Sequence, residues 1–154
     1  MTLRLQAMDE DALAGFIAAS NAGYRQERID SGDTEAYADE RVAEANAQYF
    51  PGGRPAEGQL IFEVLDDDTP VGTLWIGPLS DSRPGEWWVF DVEIREEHRG
   101  KGFGRGAMLL AEQEAKAHGA EKLGLNVFGH NTIARGLYES LGYLVTAQNM
   151  ARPL

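Results

Sequence analysis

The chain has 154 residues, a formal net charge of -11 and no cysteine. Its length suits one domain spanning residues 1–154, and the missing cysteine excludes disulfides, thiolate metal sites and a cysteine nucleophile. So negative a protein repels nucleic-acid phosphates and anionic membrane surfaces, and it tilts toward cationic small molecules such as amines. His98, His118 and His130 are scattered with no His-x-x-x-His pair, so no metal site is expected. No charged-then-apolar leader follows Met1 and no apolar run is long enough to span a bilayer, which predicts a cytoplasmic protein.

In chain order, LRLQAM reads as a short strand, and the acids of MDED sit where a helix N-terminus favours negative charge. Leu13, Phe16, Ile17 and Ser20 mark one face of that helix. A break at Asp30-Ser31-Gly32-Asp33 precedes a second helix over residues 34–49, stopped by FPGG. The period then becomes strand-like. QLIFEVL, the turn DDDTP and VGTLWIG predict a β-hairpin. A loop rich in Gly, Pro and Ser leads to WWVFDVEI, the strongest strand signal in the chain. A helix over residues 103–117 follows, stopped by Gly119. KLGLNVF predicts a strand, residues 132–141 a helix ended by Gly142, and YLVTAQNM a last strand. The strand-helix-strand run at residues 87–127 implies a parallel pair, so the whole predicts a mixed α/β sheet.

Between WWVFDVEI and the helix after it lies HRGKGFGRG, where Gly100, Gly102, Gly104 and Gly106 alternate with Arg99, Lys101 and Arg105. Glycines there permit a sharp turn and remove side chains that would block a ligand. The free N–H groups of the loop and the first helical turn favour an anion, so a phosphate or pyrophosphate is the expected guest. A P-loop needs Ser or Thr after Gly-Lys, and here Gly102 follows Lys101. Gly102, Gly104 and Ala107 satisfy G-x-G-x-x-A, but NVFGHN at the end of the next strand offers no acid for a ribose.

A strand, then Arg99-x-x-Gly102-x-Gly104, then a helix resembles the acyl-CoA pyrophosphate motif of the GNAT superfamily of N-acetyltransferases. Downstream, Asn131-x-x-Ala134-x-x-Leu137-Tyr138-Glu139-x-Leu141-Gly142-Tyr143 is similar to that superfamily's second signature. The resemblance implies the GNAT fold: a mixed, mostly antiparallel sheet with a splayed parallel central strand pair and helices on both faces. It also implies acetyl-CoA as cosubstrate. The backbone of Val92 and Ile94 would pair with the pantetheine arm, and the amides of Arg99, Gly100, Lys101, Gly102, Phe103, Gly104 and Arg105 would hold the pyrophosphate. Asn131 would contact the pantetheine. Tyr138 occupies the position of the general acid, against the competing reading of a plain core tyrosine.

The activity implied is acetyl transfer to a primary amine by direct attack in a ternary complex. For the base, strand alternation puts Trp88, Phe90, Val92 and Ile94 on one face and Asp91 and Glu93 on the other, roughly 6–7 Å apart. Acids on so apolar a strand imply a partner or a task. Glu93 is the first candidate for the base, Asp91 a candidate for substrate charge and Glu63 the reserve; pairing of the acids with Arg25 or Arg28 is the alternative. Tyr24, Arg28 and Trp75, with Tyr37, are candidate acceptor-side residues. The family's C-terminal strand pair is expected to be short here or completed by a partner chain, which leaves a homodimer open. Acetylation of protein N-termini or lysines, and acyl-CoA binding without turnover, stand as the other functions.

Overall fold

The structure is a computed structural model that describes residues 2–154. Its elements are β1 (Leu3–Ala7), α1 (Glu10–Asp30), α2 (Glu35–Tyr49), β2 (Leu60–Asp66), β3 (Thr69–Pro78), β4 (Glu86–Ile94), α3 (Phe103–Ala117), β5 (Lys122–Leu125) and α4 (Thr132–Ser140), with short 3₁₀ turns at Pro51–Gly53 and Glu96–His98. The strands form one sheet in the order β1-β2-β3-β4-β5. β4 and β5 are parallel, and the other neighbours are antiparallel.

Each face of the sheet carries its own core. On one, Leu74, Ile76, Val64 and Val89 pack against Phe103, Ala107, Met108 and Ala111 of α3, with Tyr138 and Leu141 of α4 at the margin. Small residues on α3 let that helix lie close to the strands. On the other face, Phe16 of α1 and Phe50 close over Ile61 and Trp75. Trp75 stacks on Phe90 with ring centroids 4.5 Å apart. Full burial of side chains such as Leu74 and Ile76 contributes about 1.5–3 kcal/mol each.

Two expectations need correction. Residues 143–154 form no strand, and Leu144, Val145 and Met150 stay exposed. β-forming residues become a strand only when a neighbouring edge accepts their backbone, and no such pairing forms here, so β5 is the outermost strand. The alternation along β4 also slips. Trp75 pairs with Asp91 while Ile76 pairs with Val89, so Phe90 is an extra, bulged residue. Phe90 therefore joins Trp75 on the α1–α2 face, whereas Val92 and Ile94 pack on the α3 face.

Gly72 of β3 pairs with Ile94 of β4 and leaves no room for a side chain. A Cβ there would collide with the backbone carbonyl oxygen of Glu93 and the tip of Ile94. Gly72→Ala should therefore cost about 1–3 kcal/mol of stability, read as a lower urea midpoint at unchanged slope. A wild-type midpoint would mean that β4 yields freely at this point.

Candidate active site

Past Val89, β4 and β5 part. Their pairing covers Glu86 to Val89 against Lys122 to Leu125 and goes no further. The gap is a cleft of about 130 Å³ lined by Val89, Phe90, Asp91 and Val92 on one side and Leu125, Asn126, Val127 and Phe128 on the other. The β5-facing backbone of β4 beyond Val89 has no strand partner, so an extended, amide-bearing chain can complete it. The side chains of Val92 and Ile94 pack against the α3-side core, and Val92 lines the gap.

The glycine loop runs from the end of β4 into α3. Gly100 and Gly102 have φ of 76° and 84°, a left-handed backbone that glycine enters without a Cβ penalty. Gly102 is the N-cap of α3 and has no side chain with which to satisfy the first amides. The N–H groups of Phe103, Gly104 and Arg105 are left without intrahelical acceptors, at the positive end of a helix of 15 residues. Phe103 anchors the turn by burying its ring, so only its amide remains for a ligand. This donor set, in a loop with glycine at every second position, fits a pyrophosphate.

The cations of the loop are partly committed. Arg99 folds back, its Nε donating to the Ile94 carbonyl at 2.9 Å and its guanidinium lying 3.6 Å from Glu93. Arg105 donates to the Ser140 hydroxyl at 2.6 Å, tying the loop to α4. Lys101 is exposed. Across the cleft Asn131 caps α4, its Oδ1 accepting from the Ala134 N–H at 3.3 Å, which leaves its amide group for a ligand.

Tyr138 is half-buried and lines the cleft. Burial raises its pKa, and the charges of Glu27 and Asp91 raise it further, so the hydroxyl keeps its proton. Its ring meets Tyr143 edge-on at 6.2 Å, and Tyr143 donates to a Glu112 carboxylate oxygen at 2.9 Å. That arrangement holds the helix end against α3.

A second cavity of about 270 Å³ opens on the α1 side of the sheet. Ala12, Phe16, Ala19 and Ser20 of α1 face Glu63, Thr73, Asp91, Glu93 and Arg95 across it. Asp91 lines both cavities. Burial pushes its carboxyl up to about 6, with Glu93 adding to the rise and the Ser20 hydroxyl opposing it through a hydrogen bond. Glu93 is much more open, with its side chain 64% exposed. Neither acid pairs with Arg25 or Arg28, because Arg25 binds Asp39 and Glu35 and Arg28 binds Asp33.

Some sequence candidates are not brought to the site. Arg28 donates to Asp33 at 2.6 Å and to the Tyr24 hydroxyl at 3.2 Å, and its guanidinium lies over the Tyr24 and Tyr37 rings. Those three side chains pin the α1–α2 turn, and none lines either cavity. Trp75 is buried, its Nε1 donating to Gln59 Oε1 at 2.9 Å, so it is a core residue and not part of an acceptor wall. Glu27, from the last turns of α1, reaches the rim of the β4–β5 cleft, a placement that no local sequence signal marks.

Among the described residues, no helix is long and apolar enough to cross a membrane. Residues 24–143 match the Acetyltransferase (GNAT) family. The Bacillus subtilis protein described as the uncharacterized N-acetyltransferase YdgE is 30% identical over 158 residues, covering 100% of this chain and 99% of that one. The crystal structure of YycN from the same organism, also described as an uncharacterized N-acetyltransferase, superposes with a TM-score of 0.89 at 28% identity, covering 99% of each chain. A mycothiol acetyltransferase of Rhodococcus erythropolis is 31% identical over 146 residues, 93% of this chain and 46% of that protein. A parted parallel strand pair, a glycine loop heading a helix and a family match over most of the chain agree: the protein belongs to the GNAT family and is an N-acetyltransferase.

Proposed function

We propose that this enzyme transfers the acetyl group of acetyl-CoA to the primary amine of a small molecule by direct attack in a ternary complex. The observation that carries the reading is the position of Asp91, which lines both the strand cleft and the α1-side cavity, with Tyr138 on the same cleft. The thioester would lie in the cleft, and the acceptor would enter through the second cavity and bring its amine past Asp91 to the cleft. Asp91 takes a proton from the acceptor ammonium, and the freed nitrogen forms a bond to the acetyl carbon. The carbon–sulfur bond breaks, and the Tyr138 hydroxyl protonates the departing sulfur. The second nitrogen proton leaves the new amide to solvent as the carbonyl re-forms, and the Asp91 proton returns through solvent to the phenolate. With a carboxyl held near 6, Asp91 is largely ionised at neutral pH yet basic enough to work.

Glu93, the sequence's first choice as base, becomes a surface acid at the cavity mouth in this reading. A small acceptor is favoured by a cavity of about 270 Å³ that α1 roofs, and by the similarity to a mycothiol acetyltransferase.

The test is thiol release from acetyl-CoA, followed with a disulfide dye, over polyamines, amino acids, aminoglycosides and short peptides. The chain has no cysteine, so the protein contributes no signal of its own. Release with a small amine is the expected result. Release with peptides alone would overturn the small-molecule assignment, and tight acetyl-CoA binding with no release would favour a non-catalytic ligand role.

A further inference from the structure

Asp91 is not the only carboxylate at the point where an amine would meet the thioester. Glu27 of α1 lies across from it on the rim of the β4–β5 cleft, and the lining of that cleft includes no lysine or arginine. The arginines nearest in sequence are turned away: Arg25 binds Asp39 and Glu35, and Arg28 binds Asp33. Among the described residues Glu27 makes no ion pair and no side-chain hydrogen bond, and its helix places no basic residue three or four positions from it. The groups acting on it are Asp91 and Glu93 of β4, His130 of the β5–α4 loop and Asp30 of its own helix, while Glu27 in turn acts on Tyr138 of α4. Three of those four neighbours are acids, so the position favours an arriving cation.

We propose that Glu27 is the acceptor-selecting residue of this site: with Asp91 it forms a clamp of two carboxylates, one from α1 and one from β4, around the acceptor's ammonium. The inference rests on the proposed transfer reaction for its meaning and on the geometry of the cleft for its content. Partial burial and the charge of Asp91 already hold the Glu27 carboxyl above its usual range, the direction expected of acids that lack a counter-charge. An ammonium seated between them supplies that charge. The selected class is a primary amine with no anionic group beside the nitrogen. A carboxylate on the amine-bearing carbon would face Glu27 and Asp91 at close range, and like charges there cost affinity. Amines such as diamines, amino sugars or arylalkylamines belong to that class, and free α-amino acids do not.

The test compares n-propylamine with 2-aminobutanoate, the same amine carrying a carboxylate on the carbon next to nitrogen. Binding of each to the protein saturated with CoA is measured by calorimetry, and thiol release from acetyl-CoA is read in separate samples to which no CoA is added. Wild type should bind n-propylammonium at least about tenfold more tightly than 2-aminobutanoate. Glu27→Gln should weaken n-propylammonium by about threefold to tenfold and narrow the gap, with the melting temperature not lowered and CoA affinity unchanged. Glu27→Asp, which keeps the charge, should recover part of the loss. Equal binding of the two probes, no binding of n-propylammonium, or an unaltered gap in Glu27→Gln each overturns the clamp. A normal clamp signature without thiol release for any amine leaves it standing and sinks the transfer reading instead.

Discussion

Asp91→Asn should lower kcat/KM for the amine by about 10²–10⁴-fold and at the same time make the protein more stable at neutral pH. Both effects come from one carboxyl. In the folded protein it titrates at about 6, against an ordinary value of 3.8. A folded pKa above the unfolded one means that the protonated form is the one folding favours. The contribution is fully present below pH 3.8 and is lost as pH rises through 6. At pH 8 the ionised carboxylate therefore works against folding by ~3 kcal/mol, since each pK unit corresponds to about 1.4 kcal/mol. Asparagine carries no charge and avoids this cost. Urea denaturation of both proteins at pH 4 and pH 8 reads the stability arm, with a gap expected only at pH 8. The activity arm is the acidic limb of the wild-type pH–rate profile, expected near 6 and absent from the variant's residual rate. If the limb persists in Asp91→Asn, the base is elsewhere, and Glu93 and Glu63 of the same cavity come next.

Tyr138→Phe should cut kcat by about 10²-fold or more while the dissociation constant of acetyl-CoA stays within about twofold of wild type. The ring packs at the margin of the α3-side core and phenylalanine fills the same space, so no cavity follows the change. Only the hydroxyl is lost, and its proton is what the departing sulfur needs. Burial, with the charges of Glu27 and Asp91, keeps that proton in place up to alkaline pH. Single-turnover acetylation separates this step from binding. An unchanged rate would return Tyr138 to the role of a core tyrosine that seats Tyr143 and closes the end of α4.

The helices were the most legible part of the chain. The helix expected over residues 103–117 is α3, Phe103–Ala117, because its apolar stripe and the flanking glycines are local signals. The hairpin of β2 and β3 was legible for the same reason. The place of the glycine loop between β4 and α3 was legible from residue type and position alone. What escaped was long-range. The bulge at Phe90 depends on how β3 and β4 settle their register, and alternation along one strand carries no record of it. It moved Phe90 to the face of the two acids, beside Trp75. Trp75 itself was offered as an acceptor wall, but the β3 position and the Phe50 and Phe90 rings bury it.

Tyr138 as a candidate acid came from the family resemblance, while residue chemistry and spacing by themselves determined the order of the elements through α4, the parallel strand-helix-strand unit and the carboxylate pair on β4. These are properties of contiguous segments, in which each residue's role depends on neighbours a few positions away. The tertiary structure alone decided which carboxylate stands between the two cavities, that Arg25 and Arg28 are spent on the α1–α2 turn, that Glu27 reaches the cleft and that YLVTAQNM finds no strand to pair with. Each of these turns on contacts between segments far apart in sequence. A buried carboxylate and an exposed one have the same chemistry in the sequence, and the packing of α1 over β4 is what separates Asp91 from Glu93.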